Sequence, residues 1–227
     1  MLGDVTNAAA PPGGLQDFVT QQIVDAILAG TFAPGEKLSP TRLAGQLGVS
    51  HIPVRESLAA LESMGQVRRV PRVGYFVSEL STEYVEDLYH WRQVLEDEAH
   101  RIAIPRLLDA DIDRLRKAYK AWGKAFDSRS RDPVEVIHTN RAFHFIAFER
   151  AGSLVLLRFL EQLWDAAAPY QSMLSRLNLR PTASRAEHEQ LLQAFQARDT
   201  TRVNELMATH RGATLEALRT LASQNTH

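Results

Sequence analysis

The sequence predicts a mainly α protein in two parts: an N-terminal winged helix-turn-helix of three helices plus a β-hairpin wing, then an all-α bundle of about six helices. Between Lys37 and Ser78, two short capped helices meet at a Gly-Val-Ser turn, and two strand-like runs follow. Beyond Val77 apolar residues recur at helical spacing to the end, with almost no strand signal. At 227 residues the chain is long enough for one to two domains with a real core. The boundaries expected are 1–14 for a flexible arm, 15–79 for the winged domain and 80–227 for the bundle.

Residues 1–14, MLGDVTNAAAPPGG, are small, rich in Pro and Gly, and without periodicity, which reads as an arm. From Leu15 to Ala29 the residues Phe18, Val19, Ile23, Ala26 and Ile27 lie on one helical stripe, closed by Gly30 and the Pro34-Gly35 turn. Ser39 is a good N-cap with Pro40 at the first helical position, and Leu43, Ala44 and Leu47 make the second helix amphipathic. Gly48 ends it. Ser50 starts a third helix carried by Val54, Leu58 and Leu61 and closed by Gly65. Gln66–Val70, a turn at Pro71–Val73, and Gly74–Val77 read as the wing.

Two helices at a tight turn place the second where it can enter a DNA major groove. Lys37, Arg42, Arg55, Arg68, Arg69 and Arg72 face only Glu56 and Glu62 in this stretch, while the whole chain carries a net charge of -1. Nucleic-acid binding must therefore come from this local patch. The bland alternative is a small helix-and-hairpin subdomain with ordinary surface arginines.

The string PGEKLSPTRLAGQLGVSHIPVRESLAALESMGQVRRVPRVGYFV resembles the DNA-binding domain of GntR-type bacterial transcription regulators. "PG..L", "LA..LGVS", "PVRE.L..LE..G" and the wing "G..V" occur in order and at the right spacing. The resemblance implies major-groove contacts from His51 and Arg55 and a wing glycine, Gly74, close to the minor groove. Arg42, Ser50 and Arg72 complete the expected DNA-contacting set. His51 stands where the family usually has Arg, and Thr41 where it often has Glu or Arg, so the family's common operator does not carry over directly.

The bundle helices are expected at Ser81–Ile104 (stripe Tyr84, Leu88, Trp91, Leu95), Asp111–Phe126, Pro133–Ala151, Ser153 to about Asn178 with a kink at Pro169, Thr182–Ala197 and Thr200–Ser223. Asn140 and His144 share a face of the third of these. His188 precedes Leu191, Leu192 and Phe195, and His210 follows Val203, Leu206 and Met207, so both lie on apolar stripes. Any one of them alone fits a hydrogen-bonded core histidine; three together fit a metal site in a bundle core.

The bundle is also similar to the FCD-type C-terminal domain of the FadR subfamily. The matching residues are "R..LE" at Arg92, Leu95 and Glu96, "N..FH" at Asn140, Phe143 and His144, "EH..LL.A...RD" from Glu187 to Asp199, and "M..H" at Met207 and His210. The resemblance implies a divalent metal held by Asn140, His144, His188 and His210, with Asn140 standing where Asp is commoner. It also implies a homodimer.

Neutral imidazoles suit Zn²⁺ or Ni²⁺, and three of them leave open positions that a small carboxylic acid can fill. A neutral Asn leaves the site more positive than Asp would, favouring an anionic effector. Arg92 is either a second anchor for that carboxylate or the salt-bridge partner of Glu96. The expected function is a metabolite-responsive transcriptional regulator, a repressor, that binds a palindromic double-stranded DNA operator as a dimer. A metal-sensing regulator is the alternative. A metal-dependent bundle enzyme is weaker, for there is no HExxH, no deaminase signature and no obvious general base beyond Glu187 or Glu189. The chain has no cysteine, which fits a reducing cytoplasm, and no apolar run near the roughly 18 residues of a membrane span.

Overall fold

The computed structural model describes residues 14–79, 81–179 and 181–224. The chain falls into two compact units, Met1–Leu80 and Ser81–His227. Apart from Gly14, which precedes the first helix, the expected N-terminal arm lies outside the described residues.

In the first unit α1 (Leu15–Leu28) is followed by β1 (Lys37–Leu38), α2 (Pro40–Leu47), α3 (His51–Ser63), β2 (Val67–Val70) and β3 (Gly74–Val77). The Ser39 hydroxyl accepts from the Arg42 amide at 3.3 Å. Gly48 ends α2 in the left-handed region at φ 66. There a side chain would cost strain, so the turn between α2 and α3 depends on this glycine. One stripe from each helix, Val19, Ile23 and Ile27, then Leu43 and Leu47, then Val54, Leu58 and Leu61, closes on Leu38, Val67 and Val77 in a single core.

The wing is a hairpin with a third strand added. β3 pairs antiparallel with β2, Val67 opposite Val77 and Val70 opposite Gly74, and also with β1, Lys37 opposite Phe76. The order is β1-β3-β2. A two-residue strand has no period of its own, which is why β1 was not legible in sequence.

The second unit holds six α-helices among the described residues: α4 (Thr82–Ala103), α5 (Asp109–Asp127), α6 (Pro133–Glu149), α7 (Leu154–Arg176), α8 (Pro181–Ala197) and α9 (Thr200–Gln224). A 3-10 turn at Ile104–Arg106 separates α4 from α5. Ser81, Asp132 and Ser153 accept capping bonds from Tyr84, Val134 and Leu156. α7 continues through Pro169 on both sides. Phe143, Ile146, Leu191, Phe195, Val203 and Met207 centre the main core.

The stripe expected on α4 needs correction. Tyr84 and Trp91 are exposed, Trp91 by 50%, and the buried face is Val85, Leu88, Tyr89, Arg92, Glu96, Ala99 and His100. An apolar pattern cannot locate that face, because Arg92, Glu96 and His100 on it are charged or polar, Arg92 pairing with Glu96 within α4 and Glu96 and His100 finding Arg211 and Asn204 on α9.

Candidate DNA interface and metal centre

α3 buries Pro53, Val54, Ser57, Leu58 and Leu61 against the first unit's core and turns its other side outward. His51 and Arg55 are on that outer side, and neither has a hydrogen bond or ion pair among the described residues. Ser50 sits at the N-cap position, but its hydroxyl makes no capping bond. The first-turn amides of α3 and the Ser50 hydroxyl are thus both available to a phosphate oxygen.

Arg42 is held differently. Its guanidinium pairs with Glu36 at 2.9 Å and lies 5.5 Å from the Phe32 ring. The Ala33 amide and then Arg42 hold the Glu36 carboxyl below its usual pKa. At the wing tip Arg72 adopts φ 66 and makes no ion pair among the described residues. Gly74 has φ 137, and a Cβ there would stand 3.1 Å from Lys37 Cε. The wing turn therefore favours glycine for its backbone, while the flexible end of the lysine chain can yield the few tenths of an ångström a Cβ would need. Lys37, a member of the basic patch read in the sequence, is brought to the wing by β1.

In the second unit α6, α8 and α9 bring His144, His188 and His210 together, each with a ring nitrogen within 4.8 Å of the others'. His188 stacks on Trp122 with ring centroids 3.9 Å apart. Its Nδ1 faces the Ser184 carbonyl at 2.8 Å and its Nε2 faces Asn140 Oδ1 at 2.7 Å. His210 donates from Nδ1 to Glu187 at 2.6 Å. Bonds of this kind on the outer nitrogen fix the ring and aim the other nitrogen inward, as partners of metal ligands do. His144 is fully buried, and neither of its nitrogens has a hydrogen-bond partner among the described residues.

Burial, then the neighbouring His188 and His210, hold the His144 pKa well below its usual value. Burial, and next His210, lower that of His188 to about 3. Three neutral imidazoles and an amide oxygen form a donor set that fits a borderline divalent ion, and one of the two orphaned nitrogens of His144 gains a partner if one is bound.

A cavity of about 80 Å³ opens beside this cluster, with Asn140, His188 and His210 in its wall. Trp122, Phe126, Ile137 and Leu174 give it apolar sides, and Gln171, Ser175 and Thr214 add neutral polar groups. On this scale it holds roughly five to eight waters, enough for a small acid.

Arg92 is not in that wall. It is 2% exposed, with its Nε bonded to Glu96 at 2.9 Å and its guanidinium 4.2 Å from the Trp164 ring. Glu96 uses its second oxygen on Arg211 at 2.7 Å, and Arg211 also reaches Asp97 at 2.8 Å. Trp164 in turn lies 5.1 Å from the His144 ring, so Arg92 approaches the histidine cluster from behind. Its Nη1 is buried without a partner. Sequence reasoning missed Trp122, Gln171, Ser175, Thr214 and Arg211. Neither Trp122 nor Arg211 carries a local signal in sequence, and only the fold brings Trp122 onto His188 and Arg211 onto Glu96.

Two domain profiles match the chain: residues 15–77 match bacterial regulatory proteins of the gntR family, and residues 87–213 match the FCD domain. The chain belongs to the gntR family, with an FCD domain. It is 31% identical over 190 residues to the HTH-type transcriptional repressor GlaR of Escherichia coli (strain K12), covering 81% of this chain and 86% of that one. It is 31% identical over 144 residues to the HTH-type transcriptional regulator YdhC of Bacillus subtilis (strain 168), where the match covers 63% of this chain and 64%, just under two thirds, of that relative. The structure of E. coli McbR/YncC agrees with a TM-score of 0.79 at 25% identity, over 92% of this chain and 99% of that one. GlaR and YdhC are named as an HTH-type transcriptional repressor and regulator, and neither as an enzyme. No described helix is long and apolar enough to cross a membrane.

Proposed function

We propose that this GntR regulator is a cytoplasmic repressor that binds a palindromic operator as a homodimer and answers to a small carboxylic acid bound at a metal centre in its FCD domain. The observation that carries the effector half is the convergence of His144, His188 and His210 beside a small cavity. His144, His188 and His210 are the ligands, with Asn140 beside them. A Zn²⁺ or Ni²⁺ ion held there would supply open coordination positions for a carboxylate oxygen. The chain's residues do the rest. Trp122 fixes the His188 ring, Glu187 fixes His210, and the apolar sides exclude water around an acid whose body they fit. Gln171, Ser175 and Thr214 are suited to a neutral hydrogen-bonding group on that body.

His51, Arg55 and Gly74 are the residues assigned to the DNA bases and grooves, with Ser50 and Arg72 on phosphates; Arg42 joins them if it leaves Glu36. One recognition helix reads only a few base pairs, and a two-fold dimer supplies the second half-site. GlaR is named a repressor, and the same sign is adopted here. Arg92 is assigned to the effector only as a positioning residue: paired with Glu96, it packs on Trp164, which lies against His144.

The test is operator binding by the purified dimer, titrated with Zn²⁺ or Ni²⁺ and with a panel of small carboxylates. Release from DNA by an acid, only in metal-loaded protein, supports the reading. Release by metal alone makes the protein a metal sensor. A monomer in light scattering that still binds the operator removes the dimer.

A further inference from the structure

We infer that Ile52 reads the 5-methyl group of a thymine and so sets part of the operator sequence. The inference rests on α3 being the helix that enters the groove. Ile52 is 68% exposed, the most exposed large apolar side chain described in the first unit. It takes no part in the core, which α3 meets through Pro53, Val54, Leu58 and Leu61. It occupies the second position of α3, next to His51 and three residues before Arg55, so it lies on the same outward face as the arginine. A β-branched residue in water at a helix start gains nothing from packing or from helix propensity.

The N-terminal turn of a recognition helix is the part that meets base edges. Here the uncapped Ser50 and the first amides of α3 provide a phosphate contact that brings this turn down into the groove. In the major groove the base edges offer hydrogen-bond donors and acceptors and one apolar knob, the thymine methyl. An isoleucine laid against cytosine N4 or a purine edge strips water from a polar group and gives nothing back. Laid against the methyl, it buries apolar surface on both partners. The side chain thus selects by attraction to thymine and by penalty against the other bases.

The exposed Val73 provides a contrast. It stands at the wing tip beside Gly74, 51% exposed, and the minor groove toward which a wing reaches carries no methyl group.

The full-length protein is used to select its operator from a random duplex pool, and each thymine is then replaced singly by deoxyuridine, which lacks only the methyl. Wild type is expected to lose about fourfold in affinity at one thymine or its symmetry mate, the equivalent of one methyl left unburied. Ile52→Ala is expected to bind the thymine and uracil duplexes equally, Ile52→Val to keep most of the discrimination, and Val73→Ala to keep all of it. Cytosine at that position weakens wild type, and 5-methylcytosine recovers part of the loss. The inference is overturned if wild type ignores every thymine-to-uracil change, or if Ile52→Ala, melting as wild type does, discriminates as well as wild type. Arg55→Ala separates the two levels. If it weakens operator binding while Ile52→Ala leaves discrimination intact, α3 is the reading helix and the assignment of Ile52 alone is wrong.

Discussion

His188 Nε2 and Asn140 Oδ1 stand 2.7 Å apart, while His188 Nδ1 faces the Ser184 carbonyl at 2.8 Å. A neutral imidazole carries one N–H, and burial keeps this ring neutral down to about pH 3. The Ser184 carbonyl takes that proton, so Nε2 and Oδ1 turn lone pairs toward each other. A cation at this point satisfies both; so does an amide turned to present Nδ2. The two arrangements respond in opposite ways to a change at residue 140.

Asn140→Asp distinguishes them. If the oxygen is a ligand, the variant is expected to hold Zn²⁺ or Ni²⁺ more tightly in chelator competition. It should also lose roughly tenfold or more in affinity for an anionic acid, through one added negative charge beside it. A simple amide donor predicts a variant that melts lower without metal and binds metal no better.

His188→Ala is expected to lower metal content by elemental analysis. It should abolish the rise in melting temperature on adding metal, since only binding to the folded state produces that rise. Operator affinity should persist, with its response to the acid lost. An unchanged response in this variant removes the metal from the switch.

Glu96 ties Arg92 on its own helix to Arg211 on α9, with all three side chains buried. The two guanidiniums hold its carboxyl below the usual range against the opposing effect of burial. Glu96→Ala leaves Arg92 uncompensated and Arg211 with Asp97 alone, and is expected to cost about 3–5 kcal/mol in urea denaturation. Replacing Arg92, Glu96 and Arg211 together with apolar residues should cost far less than the single change, which separates stranded charge from lost packing.

His100 gives the pH dependence. It is buried against Phe148 and Phe195, with Nδ1 bonded to Asn204 at 3.0 Å, and Glu96, Asp97 and Arg211 are the charged groups around it. Burial, only partly opposed by Glu96, lowers its pKa from 6.5 to about 4. Between these values the unfolded chain binds more protons than the folded one. Stability from this group is complete above about pH 6.5 and is lost as pH falls toward 4. His144 and His188 contribute with the same sign across that window, so His100→Gln should make the fall in melting temperature shallower there without abolishing it, and leave the limb below it unchanged.

Arg55→Ala is expected to lose about 1–3 kcal/mol of operator affinity and relax one position per half-site. Arg72→Ala should weaken all duplexes alike and flatten the dependence of affinity on salt. Electrophoretic or fluorescence titrations at several salt concentrations distinguish base contact from phosphate contact.

Local chemistry was enough to write most of the fold. The Ser39-Pro40 and Asp132-Pro133 starts, the Gly48 and Gly65 stops and the 3.6-residue stripes are short-range signals, and each helix formed within a few residues of its expected ends. The three histidines were likewise legible, because a histidine on an apolar stripe is visible without knowing what the stripe meets. What the stripes met was decided only by packing. β1 exists because β3 offers Lys37 and Leu38 an edge, and a two-residue strand has no existence apart from its partner. The α4 stripe was misread through Tyr84 and Trp91, since Arg92 and Glu96 are buried by a charge 115 positions away, on Arg211. Trp122 faces His188, and Arg92 lies behind His144 rather than in the cavity wall, for the same reason. Periodicity determines which face of an element is apolar, but the energy of burying a charge depends on a partner that only the tertiary structure supplies.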